Sequence, residues 1–276
     1  MLNSGLYVVA TPIGNLKDIS ARAVETLENA DVIACEDTRV SKKLFALLGL
    51  KTNKKFICYE DHREEEVAHD LVAQMKNGAS VALISDAGSP LISDPGYKLV
   101  RLCKQENIRV FAVPGASAVI CALELSGLPT NRFMFAGFIE NKKKARLDLF
   151  HELKDIQTTL VFYETAPRLL ETLKAMATVF KEREIAVVRE ITKIYEEAVN
   201  GTAESLIGHF ENKSPKGEIV LVVAPPSNEK ENIDGARELK KRLKDMPFKE
   251  AVAEVAALCG VKKSEVYALG LKLKDE

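Results

Sequence analysis

Tryptophan is absent from the 276 residues, aromatic residues reach only 6%, and histidine is limited to His62, His69, His151 and His209. No two glycines stand one residue apart. Each shortage closes off a chemistry. Without Gly-x-Gly there is no GxGxxG dinucleotide fingerprint, and no GxxxxGK(S/T) phosphate loop occurs either, so the backbone cradles for NAD or ATP phosphates are missing. The histidines form no His-x-x-x-His pair, and Cys35, Cys58, Cys103, Cys121 and Cys259 form no CxxC pair. That removes the common zinc spacings and the dithiol redox motif, and leaves buried free thiols as the reading of the cysteines. No GxSxG elbow is present to carry a Ser-His-Asp hydrolase. No stretch approaches the ~18 unbroken apolar residues of a membrane span, and Met1-Leu2-Asn3-Ser4-Gly5 has no basic segment leading into an apolar one. The expectation is a cytoplasmic protein with no membrane partner. A net charge of −1 argues against a uniformly basic nucleic-acid coat and leaves room for a local basic face.

What is present is a soluble globular balance, 46% hydrophobic and 29% charged, in a chain longer than the ~100–200 residues of one domain. LYVVA (6–10), DVIACED (31–37), KFICYED (55–61), VALISDAGSP (81–90) and RVFAVPG (109–115) read as strands. Helical patterns follow them, ending with one over 116–125. That alternation predicts right-handed crossovers and a largely parallel sheet covered on both faces. From Arg132 the pattern changes. Strands over 132–139, 158–164, 184–191, 194–201 and 218–224 and helices over 142–154, 167–180 and 202–211 suggest a second α/β domain with some antiparallel pairing. PPSNEKENIDG (225–235) reads as a linker, and helices over 236–245, 247–259 and 264–274 as a small unit of helix-turn-helix type, Ser264 capping the last. The fold class expected is two α/β domains, 1–126 and 127–225, with a cleft between them, plus a helical C-terminal unit, 226–276.

Ligands of a parallel sheet bind outside the carboxyl ends of its strands. Five turns fall there: TPIGN, CEDTR, CYEDHR, SDAGSP and VPGAS. A rim of carboxylates, small residues and exposed amides, without phosphate-binding motifs, suits a ligand with adenine, ribose, ammonium and carboxylate. S-adenosylmethionine is such a ligand.

TPIGN, SDAGSPLISDPG, VPGASA, LVFYETAPR and EITKIYEE, in this order and spacing, resemble the tetrapyrrole-methylase superfamily of S-adenosylmethionine-dependent methyltransferases. Within it the chain is similar to the branch that methylates the 2′-hydroxyl of one cytidine in 16S ribosomal RNA. ATPIGNL stands where porphyrin-modifying members carry GxGPGD. The resemblance runs over about residues 5–225 and again through the C-terminal helices, and it implies a homodimer with the cofactor between the α/β domains. By position it implies cofactor contacts from Pro12, Ile13 and Gly14; from Asp86, Ala87, Gly88, Ser89 and Ile92; from Ser117 and Ala118 at a helix N-terminus; and from Tyr163, Glu164 and Ile191 on the second domain. Ser89 replaces an aspartate of the porphyrin methylases.

A ribose hydroxyl needs a base to accept its proton as the carbon–oxygen bond forms. Rim candidates are Glu36 and Asp37, with Glu60, Asp61 and His62 nearby; Arg39 or Arg63 could hold a phosphate bidentately. The assignment expected is Glu36 or Asp37 as base and Arg39 as clamp. For RNA contact, Lys142–Lys144 with Arg146 and the lysine-rich C-terminal unit (Lys240, Lys241, Arg242, Lys244, Lys249, Lys262, Lys263, Lys272, Lys274) are the basic stretches, each also readable as a solvated face. The partner expected is 16S ribosomal RNA within the small subunit. A methylase of a tetrapyrrole or other small molecule, a protein methylase of diphthine-synthase type and a non-catalytic RNA-binding module remain alternatives.

Overall fold

The computed structural model describes residues 2–60, 64–213, 215–226, 235–259 and 261–272. The chain forms two compact units, Met1–Pro225 and Pro226–Glu276. In the first, strands β1 (Gly5–Val9), β2 (Val32–Cys35), β3 (Lys55–Cys58), β4 (Ser80–Ile84) and β5 (Val110–Val113) build a parallel sheet in the order β3-β2-β4-β1-β5. Helices α1 (Ala21–Asn29), α2 (Thr38–Leu47), α3 (Glu64–Lys76) and α4 (Tyr97–Gln105) alternate with the strands. The strands are apolar on both sides because both faces are covered. Leu6, Val32, Val81 and Leu83 pack with Leu71, Met75 and Leu99, while Val9, Ile33, Ala82 and Ile84 pack with Leu27 and Phe45. All five strands point the same way, so the turns that follow them share one edge.

The second sheet has the order β6-β7-β10-β8-β9, from β6 (Phe133–Phe138), β7 (Thr159–Thr165), β8 (Ile185–Arg189), β9 (Glu197–Gly201) and β10 (Glu218–Val223). Only β6 and β7 are parallel; β10 runs antiparallel to β7 and β8, and β8 to β9. One face packs on α6 (Lys143–Leu153), α7 (Leu169–Phe180) and α8 (Ala203–Phe210) through Phe150, Phe162, Leu173, Met176, Phe210 and Leu221. The other face receives α5 (Ala118–Ser126), the helix that follows β5. Val119, Ala122 and Leu123 of α5 pack on Val161, Ala186, Val188, Val220 and Val222. Strand alternation with period two assigns these two apolar sets to opposite faces.

The strand expected from residue 194 begins instead at Glu197, because Glu190 and Thr192 take φ of 52° and 67° and turn the chain first. Helix α4 begins at Tyr97, behind Gly96, whose φ of 138° suits glycine. In the second unit, α9 (Gly235–Arg242), α10 (Phe248–Cys259) and α11 (Lys263–Lys272) surround Leu239, Ala251, Val255 and Val266. Ser264 lies in the first turn of α11, two positions inside the cap position expected for it. Gly260 and Lys274 fall outside the described residues; among the described residues no helix is long and apolar enough to cross a membrane.

If α5 holds the second sheet, Leu123→Ala removes side-chain volume from that contact, and its cost should be about 2–5 kcal/mol of unfolding free energy. Urea denaturation measures this; a loss below about 0.5 kcal/mol, the range of ordinary surface substitutions, would contradict the packing.

Candidate functional site

A cavity of about 430 Å³ opens between the carboxyl edge of the parallel sheet and the α5-covered face of the second sheet. Its first wall is the pair of turns after β1 and β4, which are adjacent strands. Thr11 N–H donates to the Gly88 carbonyl at 2.8 Å and Gly88 N–H to the Thr11 carbonyl at 3.2 Å, so the two turns are bridged. Thr11 Oγ1 also donates to the Ser85 carbonyl at 3.2 Å. Gly88 has φ of 81°, and a Cβ there would press on Ile13 at 3.3 Å. The loop then carries Leu91 and Ser93 at φ of 72° and 66°. Non-glycine residues in the left-handed region cost about 1–3 kcal/mol each, and such strain persists only where the surroundings enforce it. At the end of this loop the buried Glu64 anchors the backbone: its carboxylate accepts from Gly96 N–H at 3.0 Å and from the Tyr59 hydroxyl at 3.1 Å. Burial and the Glu64 charge push the Tyr59 phenol far up, which keeps it a donor.

The opposite wall comes from β7, β8 and β10. Tyr163 meets Phe135 and Phe138 edge to face, at ring distances of 4.7 and 5.2 Å, and burial raises its phenol. Glu164 is buried, and its carboxylate is fully engaged: it accepts from Thr165 N–H at 2.7 Å, Arg168 Nε at 2.7 Å and Thr172 Oγ1 at 2.5 Å. It ties the YETAPR turn to α7. The floor is apolar, from Ile13, Ala118, Ile191 and Val220, and Ser117 marks the N-terminus of α5. The first amides of that helix have no intrahelical partner and carry its positive dipole end. The lining also carries the carboxylates Glu36, Asp86, Asp94 and Glu218, and no lysine or arginine lines the cavity among the described residues.

Of the residues singled out from sequence, Ile13, Glu36, Asp86, Ala87, Gly88, Ser89, Ile92, Ser117, Ala118, Tyr163, Glu164 and Ile191 line this one cavity. Pro12, Gly14, Asp37, Arg39 and Glu60 are not in its wall, and Asp61, His62 and Arg63 lie outside the described residues. Gly14 acts behind the wall: a Cβ there would strike Thr192 Oγ1 at 2.8 Å and Lys193, so glycine lets the β1 turn close on the loop after β8. Asp37 caps α2, accepting from Arg39 N–H at 2.7 Å and holding the Arg39 guanidinium in a two-point pair. That partner holds its carboxyl down at about 2. Asp86 has the opposite environment: burial, with the Asp37 charge adding, raises its carboxyl despite the Asp37 N–H donated to it at 3.3 Å. Arg146 was expected with the RNA-facing lysines but is buried, donating to the Glu140 and Asn141 carbonyls at 3.3 and 2.8 Å. Sequence reasoning missed Glu64, Thr11, Glu218 and Phe138. For Phe138 a signal existed, since Gly137 inside a strand pattern marks a bulge.

Residues 5–207 match the family of Tetrapyrrole (Corrin/Porphyrin) Methylases, and residues 229–274 match the RsmI C-terminal HTH domain. The chain is 45% identical to the Ribosomal RNA small subunit methyltransferase I of Mesorhizobium japonicum, over 99% of this chain and 94% of that one. It is also 45% identical to the protein of that name from Haemophilus influenzae, over 96% of each. Among solved structures, a diphthine synthase superposes with a TM-score of 0.62 at 17% identity, over 79% of this chain and 89% of that chain. A uroporphyrin-III-C-methyltransferase from Thermus thermophilus does so at 0.56 and 21%, over 80% and 94%. These two likenesses concern the fold alone.

The Asp37 environment makes a measurable prediction. Its folded pKa lies below the unfolded value of about 3.9, so its stabilising contribution is fully present above pH ~4 and is lost as pH falls through about 2. A carboxyl NMR titration should find that midpoint, and Arg39→Ala should move it up toward 3.9; an unmoved midpoint would show that the pair is not its cause.

Proposed function

The chain belongs to the tetrapyrrole methylase family, and from that membership and the chemistry of the cavity we infer an S-adenosylmethionine-dependent methyltransferase that modifies RNA of the small ribosomal subunit. The observation that carries the cofactor is the lining: four carboxylates beyond the neutralised Glu164, no basic side chain among the described residues, an apolar floor and one helix N-terminus. Carboxylates favour a ligand with sulfonium and ammonium charges and reject one with phosphates, and the α5 amides suit its single carboxylate. Ile13, Tyr163, Ile191 and Val220 would hold the apolar part, and the bridged turns at 85–89 the polar end. When bound, S-adenosylmethionine supplies an electrophilic methyl group on a good leaving group.

The finer reading is transfer to the 2′-hydroxyl of a cytidine of 16S ribosomal RNA, in a cytoplasmic homodimer acting on the small subunit. The protein's task is then alignment and proton removal. Well-oriented reactants supply on the order of 7–11 kcal/mol, which the two-walled cavity is built to provide. The hydroxyl proton passes to a carboxylate oxygen. What supports Asp86, with Glu36 beside it in the lining, is a raised basicity; Asp37 is too weak a base, being held at about 2 by Arg39. Arg39 itself is 89% exposed at the side chain and remains the candidate phosphate contact outside the cavity. The second unit exposes Lys240, Lys241, Lys244, Lys249, Lys262 and Lys263, whereas Arg242 is paired with Glu238 and Glu254.

Labelled S-adenosylmethionine and small subunits lacking the modification test the reading. Transfer that yields 2′-O-methylcytidine on nucleoside analysis is expected; cofactor binding without any transfer to subunits would refute the RNA assignment. In the same assay Asp86→Asn should lower kcat by about 10²–10⁴-fold, the range of general-base loss, and Asp37→Asn by less than about 10-fold. The reverse order would exchange their roles.

A further inference from the structure

Phe138 is not needed by the core, yet the chain takes trouble to aim it. Strand β6 pairs with β7 in register through Phe135, then slips, and resumes at Phe138 opposite Tyr163. Gly137 in the slip has φ of 72°, and a Cβ added there would meet nothing within 4 Å, so its conformation and not its size is what the position requires. Bulges of this kind redirect a side chain. The redirected ring lines the cavity while 55% of the residue stays exposed, with an edge-to-face contact on Tyr163 behind it. The walls deeper in, Ile191 and Val220, are buried. Phe138 therefore stands at the mouth, on an edge strand, beyond the enclosed volume.

Four residues later come Lys142, Lys143 and Lys144, all exposed and, among the described residues, without an ion-pair partner. They open α6, which has no side-chain cap and no acidic residue in its first turn. Cations at the positive end of a helix are unfavourable, so the positive field here is left uncompensated. The link between ring and lysines is rigid: Arg146 holds the Glu140 and Asn141 carbonyls, and Arg168 donates to the Ile139 carbonyl at 2.7 Å.

We propose that Phe138 and Lys142–Lys144 form the docking surface for single-stranded RNA at the cavity mouth, the ring stacking on a base at the target nucleotide and the lysines neutralising adjacent phosphates. An aromatic face beside a basic groove is the combination that binds unpaired nucleotides, and it offsets the phosphate-repelling carboxylates of the cavity. The proposal rests on the RNA reading above. It is tested by binding of the full chain and its variants to undermethylated small subunits, with S-adenosylmethionine affinity measured separately by calorimetry. Phe138→Ala should weaken subunit binding about 5- to 100-fold and Phe138→Trp should preserve it. The triple variant Lys142→Ala, Lys143→Ala, Lys144→Ala should reduce the slope of log affinity against log salt by about 2, at ~0.7 per phosphate contact. Cofactor affinity should stay unchanged in the triple lysine variant, and in Phe138→Ala it should fall by less than subunit binding does. If Phe138→Ala instead loses cofactor affinity and keeps subunit binding, the ring serves the adenine and the proposal fails. It fails too if wild type methylates subunits and the variants bind them equally well. A wild type that neither binds nor methylates subunits removes the RNA reading itself, and this surface with it.

Discussion

Helix α5 packs on a sheet to which its own βα series does not belong, and the cavity follows from that placement. The helix leaves β5 at the carboxyl edge of the parallel sheet and buries Val119, Ala122 and Leu123 against Val161, Val188 and Val222 of the other sheet. One helix thus has its N-terminus at the edge where the loops converge and its apolar side on the opposite wall. Its mean composition is apolar enough to leave no charged residue in the first turn, so the dipole end faces the ligand space without a competing side chain.

Around that frame, acidic side chains divide into two kinds. Glu64, Glu164 and Asp37 are bound by backbone amides, hydroxyls or guanidinium groups, and each fixes a loop: the run before α4, the YETAPR turn and the start of α2. Asp86, Glu218 and Glu36 line the cavity instead. Glu164, with three donors, holds its partners in place, whereas burial makes Asp86 more basic. The same residue type therefore supplies rigidity at one position and chemistry at another, according to its surroundings.

Backbone strain follows the same geography. Leu91 and Ser93 lie in the loop before α4, and Glu190 and Thr192 in the turn after β8. The second of these turns meets the β1 turn at Gly14, where no side chain fits. The β1 turn and the turn after β8 therefore close on each other beside a strained backbone.

The strand and helix pattern, the change at Arg132 from parallel to mixed pairing and the rim turns were legible in the linear chain, because apolar periodicity and Gly/Pro punctuation are local properties, whereas most cavity residues came from the family resemblance. Missing phosphate loops and absent zinc spacings were legible for the same reason. What the order of residues could not express was which side chain meets which across long separations. Glu64 reaching Gly96, Thr11 bridging to Gly88, and Arg146 turning inward from a run of exposed lysines are contacts between distant or oppositely facing positions. The different fates of Asp37 and Asp86 depend on who donates to each carboxylate and how much water remains, and only packing decides that.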